Sequence, residues 1–240
     1  ALRFLLALFL SPWTLLLGQN CFDIEAVLVD ACGNPEGTSE MVRFRVGPQN
    51  LQVNQLTVSW PNNAFLGICQ NANTAAKVQQ INNQISQCGF AKEPLNGVLP
   101  AGSTVLLVTS ENVNINANSF ANLADTIYVI FQCAGNTAGH FANATGAGQR
   151  TLSMFFSSPS PCSDIVTYTC AQLLDQNGVA GPTSPSNLRD GALVDFSSGN
   201  AVYANNGCQI PAQPLFISIQ GQGNLCPGDT LWLDASHSSS

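Results

Sequence analysis

Charge is what this sequence has least of. Of its 240 residues only seven are Lys or Arg and 14 are Asp or Glu, 9% in all, against about 25% in an average soluble domain. So few cations, in a chain of formal net charge −7, cannot neutralise a run of phosphates. Nucleic acid is therefore excluded as a partner class. Histidine is scarcer still, with His140 and His237 alone, which leaves little for zinc binding or imidazole catalysis. No GxSxG, HExxH, Walker-type or GxGxxG phrase occurs, so the common hydrolase and nucleotide-binding motifs are missing. What is abundant is neutral and polar: Asn, Gln, Ser and Thr together make 76 residues. Hydrophobic residues at 45% still supply a packed core, which excludes disorder.

Residues 1–19 read ALRFLLALFLSPWTLLLGQ. Arg3 precedes an apolar run broken by Ser11 and Pro12, and a small residue, Gly18, follows. This is the pattern of a secretory signal peptide. About 14 apolar residues fall short of the ~20 that span a bilayer, so no membrane span is expected after signal cleavage. Ala in place of Met at position 1, and a strand-like phrase cut at Ser240, are expected of a piece of a longer reading frame.

Nine cysteines stand at 21, 32, 69, 88, 133, 162, 170, 208 and 226, and no CxxC pair is among them. In an exported chain such spacing reads as disulfides rather than a metal site. Cys69 and Cys88 flank one short helical stretch and are expected to bridge each other. The pairing of Cys21, Cys32, Cys133, Cys162, Cys170 and Cys208 stays open. Cys226, past the PAQP segment at 211–214, is expected to pair with a cysteine beyond residue 240.

Strand signals dominate: Ile24–Val29, Met41–Val46, Leu51–Trp60, Thr104–Thr109, Thr126–Cys133, Thr151–Phe156 and Ile165–Thr169 are rich in β-branched, Leu or aromatic residues and bounded by turn formers. Ala192–Phe196 and Ala201–Tyr203 flank Ser-Ser-Gly-Asn as a hairpin. In Met41–Val46, Val42, Phe44 and Val46 share one face and Arg43 and Arg45 the other. Asn73–Gln87 alone reads as a helix, with Val78, Ile81 and Ile85 on one side and Asn73 or Thr74 as cap. The expected fold is all-β: an antiparallel immunoglobulin-like β-sandwich over residues 20–210 with a surface helix at about 73–87. A linker at 211–214 and the truncated start of a second sandwich at 215–240 follow.

Ile24–Phe44 (IEAVLVDACGNPEGTSEMVRF) resembles the opening of the lamin-tail domain, a first strand, an acidic turn and a Glu-led second strand. Leu99–Leu107 (LPAGSTVLL) is similar to a later strand start of that family. Arg43 stands where a second acid is common. The resemblance covers residues 23–156. Asn224–Leu233 (NLCPGDTLWL) resembles the first strands of immunoglobulin-like modules in large exported proteins of the Bacteroidota, many of which use type IX secretion. The resemblance implies a non-catalytic module of a secreted, multi-domain cell-surface protein, for adhesion or for binding extracellular polysaccharide or a surface protein. The alternative is an accessory domain of an exported hydrolase or nuclease whose catalytic part lies beyond residue 240.

Asp23, Glu25, Asp30, Glu36 and Glu40 are the densest acidic cluster. Asp30, Glu36 and Glu40 could donate oxygens to calcium as a cofactor, or form an acid–base pair. They also read as a solvated turn with strand residues paired to Arg43 or Arg45. Asp125-Thr126-Ile127 and Asp229-Thr230-Leu231 resemble the Bacteroidota O-glycosylation signal at Thr126 and Thr230, and read equally as plain strand starts. Asn143-Ala144-Thr145 fits an N-glycosylation sequon. His140 reads as a loop or packing residue.

Overall fold

Alternation within short apolar strands builds the fold. The computed structural model describes residues 21–135, 137–144, 146–182 and 189–211. Its elements are β1 (Phe22–Asp30), β2 (Met41–Val46), β3 (Leu51–Gln52), β4 (Leu56–Ser59), β5 (Ile68–Cys69), α1 (Ala72–Gln84), β6 (Phe90–Lys92), β7 (Val98–Leu99), β8 (Thr104–Val108), β9 (Thr126–Gln132), β10 (Gln149–Phe156), β11 (Cys162–Thr169), β12 (Ala192–Asp195) and β13 (Val202–Asn205). The large sheet runs β13-β12-β1-β2-β8-β9-β5, with β6 also paired to β9. A second sheet runs β11-β10-β4, and β3 pairs with β7. The fold is all-β and sandwich-like, with a single α-helix among the described residues. The expected linker beyond Pro211, the module at 215–240, the signal peptide, Thr230 and Cys226 lie outside the described residues.

Two cores sit on opposite faces of the large sheet. Phe22, Val42, Phe44, Val105 and Leu107 meet Leu152, Met154 and Phe156 of the second sheet. There the Phe22 ring lies edge-on to Phe44 at 5.8 Å and to Phe156 at 5.1 Å. On the far face Leu28, Met41, Leu106, Val108 and Phe131 pack with Val78 and Ile81 of α1 and with Phe120 and Leu123. A bulge between Ile24 and Ala26 resets the alternation of β1. Phe22 and Ile24 therefore share the first core with Val27 and Val29, and Glu25 joins Arg43 and Arg45.

The structure departs from expectation in three places. β9 runs parallel to β8 and β6, where a wholly antiparallel sheet was expected. A parallel neighbour needs a long crossover, and residues 109–125 supply it while delivering Val113, Ile115, Phe120 and Leu123 to the second core. The single strand expected over 51–60 is broken by a 3-10 turn at Val53–Gln55 into β3 and β4. The helix is α1, shorter than expected at its C-terminal end, and its cap is Asn71. The Asn71 side chain accepts from the backbone N–H of Asn73 and Thr74, and Thr74 returns the bond to the Asn71 N–H, a complete capping box. Its apolar side, Val78 and Ile81, joins the second core, beside β6 and β9. Among the described residues no helix is long and apolar enough to cross a membrane.

Candidate functional site

The N-terminal half of β1, the outer edge of β11 and the β12–β13 hairpin enclose an open groove of about 560 Å³. Two ties hold its walls together. Cys21, just before β1, is bonded to Cys162 at the start of β11. The Ile24 N–H donates to Asp164 Oδ2 at 2.6 Å. Carboxylates of Asp23, Glu25 and Asp164 line the groove, with Thr167, Ser197 and Asn200 as neutral hydrogen-bonding groups. Ile165, 60% exposed, gives it an apolar patch. Glu25 is held by cations: Arg43 donates to it at 3.0 Å and Arg45 at 2.9 Å. Arg43 is also 3.5 Å from Asp195 and donates to the Pro211 carbonyl at 2.7 Å. No described residue lining the groove is Lys or Arg. Sequence reasoning placed Asp23 and Glu25 in one cluster with Asp30, Glu36 and Glu40. The structure divides the five between two places, and adds Asp164 with Ser197 and Asn200 of the hairpin turn, none of which the sequence marks as part of a ligand site.

The other three acids do come together, beside Asp190. Burial, the neighbouring Asp30 and Glu40 charges and a hydrogen bond to Asp30 push the Glu36 carboxyl up to about 9. At neutral pH Glu36 therefore holds its proton. Burial also raises Glu40 well above the usual carboxylate range, against hydrogen bonds from the His140 and Phe141 backbones, and raises Asp190. Among the described residues no group of three or more His, Cys, Asp or Glu is arranged to hold a metal ion. The calcium site expected of Asp30, Glu36 and Glu40 thus gains no support: Glu36 is committed to Asp30, and Glu40 to His140.

His140 is fully buried. Its backbone N–H and its Nδ1 meet Glu40 Oε2 at 2.7 and 3.0 Å. Gln132 lies on the other side. Trp60 Nε1–H donates to Gln132 Oε1 at 2.8 Å, and Gln132 Nε2 donates to the Thr109 carbonyl at 3.0 Å. That orientation turns the second amide N–H to His140 Nε2, 3.0 Å away, so Nε2 accepts and Nδ1 carries the proton. Burial lowers the imidazole to about 4. With no exposed edge and a neutral ring, this Glu–His pair is a core network that anchors the loop at 138–143 to β2 and β9.

The disulfides correct one expectation. Cys69 is bonded to Cys133, not to Cys88, and Cys32 to Cys208. Cys88 is itself disulfide-bonded, and Cys170 is a buried free thiol. Thr126 is exposed at the start of β9. The Asn143 side chain is buried, donating to the Val29 carbonyl and accepting from Tyr168 Oη at 2.9 Å, so the folded chain does not present it to a glycosylating enzyme. Comparison of the chain with protein-family models, with curated proteins and with solved structures finds no match.

Proposed function

We propose that this chain is a non-catalytic binding module of a secreted, multi-domain cell-surface protein, and that it engages extracellular polysaccharide or a surface protein. The observation that carries the reading is the groove: an open cleft between β1, β11 and the β12–β13 turn, with β1 and β11 tied by a disulfide. Concave sites with a few fixed polar groups on rigid elements are where ligands bind. Three disulfides between described cysteines, with Cys88 bonded as well, suit an oxidising compartment, in keeping with the export signal read at 1–19. The kinship proposed with lamin-tail domains rests on two phrases of the sequence. Ile24–Phe44 runs through β1 and β2, and Leu99–Leu107 enters β8, the next strand beside β2.

The Glu40–His140 pair is sealed in the core, out of reach of a ligand in the groove. Export of the chain from its host, followed by incubation with polysaccharide, peptide and ester substrates, tests the reading. Saturable binding with every substrate recovered uncut is the expected result. Turnover abolished by Glu36→Gln or Glu40→Gln overturns it, as does retention of the folded chain in the cytoplasm.

A further inference from the structure

We infer that Cys88 is bridged to Cys226, so that residues 212–226 are bound back to one end of the large sheet and do not act as a free linker. Nothing in this pairing depends on what the groove binds.

The partner follows from the cysteine count. Nine cysteines occur in the chain. Cys21–Cys162, Cys32–Cys208 and Cys69–Cys133 take six of them, and Cys170 is a buried free thiol. Cys88 is disulfide-bonded, and none of those seven is its partner. Within the chain that leaves Cys226, which lies outside the described residues. Cys88 is exposed, within reach of a segment from outside the described fold. The bond forms by exchange with a disulfide-donating protein of the oxidising compartment. The S–S bond of the donor breaks as the Cys88–Cys226 bond forms, and the two thiol protons end on the donor's two sulfurs.

The fold carries both ends of the segment to one place. β8, β9 and β6 lie side by side and run parallel, with Thr104 opposite Ile127 and Phe90 opposite Thr126. Their first residues therefore share one end of the large sheet. Cys88 stands just before β6 at that end, where the Gly89 N–H donates to the Leu123 carbonyl at 3.0 Å and the Phe90 N–H to the Asp125 carbonyl at 3.1 Å. Pro211 sits at the same end. Gln209 forms a parallel bridge with Ser119, and the Ile210 N–H donates to the Ser119 carbonyl at 3.2 Å. Arg43 of β2 then donates to the Pro211 carbonyl at 2.7 Å. Leu123, Asp125 and Ile127 line one small cavity together with Ile210 and Pro211. Residues 208–211 thus run alongside 119–123, in the direction of Cys88. From β2 across β8 and β9 to β6 is three strand spacings, about 14 Å. The fifteen residues from Pro211 to Cys226 reach about 50 Å when extended, so the span is met with slack.

The bridge changes what the Pro-Ala-Gln-Pro stretch does. Arg43 holds the chain at residue 211 and the disulfide holds it again at 226. Whatever follows Cys226 then leaves from a fixed point on the first domain. The pairing also takes the place of a partner beyond residue 240.

The test uses the full chain exported into an oxidising compartment. Pepsin digestion in acid without reductant, followed by mass spectrometry, is expected to give a peptide pair joining Cys88 to Cys226, with Cys170 the one thiol labelled after unfolding. Limited chymotrypsin cleavage of the native chain between 212 and 225 is expected to leave both pieces joined until reductant is added. In Cys88→Ser the same cleavage should run at least fivefold faster and release the C-terminal piece at once. A free thiol at Cys226, either cysteine joined to another residue, or a dimer linked through Cys88 overturns the pairing. Equal cleavage rates in the two chains overturn the fixed exit.

Discussion

At the scale of single residues the buried ionisable groups set the pH range of the fold. His140 titrates near 4 when folded and near 6.5 when unfolded. Between those values the unfolded chain binds the extra proton, so this contribution to stability is complete above about 6.5 and lost as the pH falls toward 4. A shift of that size corresponds to about 3 kcal/mol. Denaturant midpoints measured from pH 7 to pH 4 are expected to fall steeply, and His140→Gln is expected to flatten that slope while lowering stability at pH 7. Glu36 works in the opposite sense. Its folded value near 9 stands above an ordinary value of about 4.3, so its contribution is complete below the ordinary value and lost as the pH rises toward 9. Glu36→Gln is therefore expected to raise the melting temperature at pH 8 by roughly 2–4 °C and to change little at pH 4; a lower melting temperature at pH 8 would contradict the assignment. The packing role of His140 was legible in the sequence because Gly139 and Phe141 flank it. Its partners were not. Glu40 and Gln132 are 100 and eight residues away, and only the β2–β8–β9 register brings them together.

At the scale of elements, strand phrases six to nine residues long with clear alternation, such as Met41–Val46, translated directly into structure. β5, β6 and β7 did not, because two or three residues carry no periodicity and are held by pairing alone. The same limit misled the cysteine reading. Helix α1 has 13 residues, about 20 Å of rise at 1.5 Å per residue, which carries its two ends apart. β5 instead pairs with the last residues of β9, Cys69 opposite Phe131, and Cys133 follows at once. The Asn71 cap also escaped notice, since it lies just before the apolar periodicity begins. Asn71→Ala removes the capping box and a 2.7 Å bond to Glu111; it is expected to destabilise the chain by about 1–2 kcal/mol, read from urea unfolding, while Asn71→Asp or Ser restores most of the loss. A neutral effect of Asn71→Ala would mean that α1 is held by its apolar face alone.

At the scale of the molecule, disulfides join residues 141, 176 and 64 positions apart. Each closes a long loop of the unfolded chain, so each is expected to contribute about 2–5 kcal/mol. Cys21→Ser/Cys162→Ser has a further consequence, because that bridge ties the two walls of the groove. The double variant is expected to lose ligand affinity as well as stability, whereas Cys32→Ser/Cys208→Ser should lose stability alone; equal affinities for the two variants would detach the groove from binding. The sandwich class was legible from the spacing of strands and turns. The groove was not, since its walls come from residues 23–25, 164–167 and 196–201, far apart in the sequence and brought together only by the fold. Hydrogen exchange of the intact chain, with and without saturating polysaccharide, tests the central claim most directly. The account predicts slowed exchange confined to 22–25, 163–169 and 196–203, with the polysaccharide recovered at its starting length. Protection on the α1 face or around His140 instead, or a shortened polysaccharide, would contradict it.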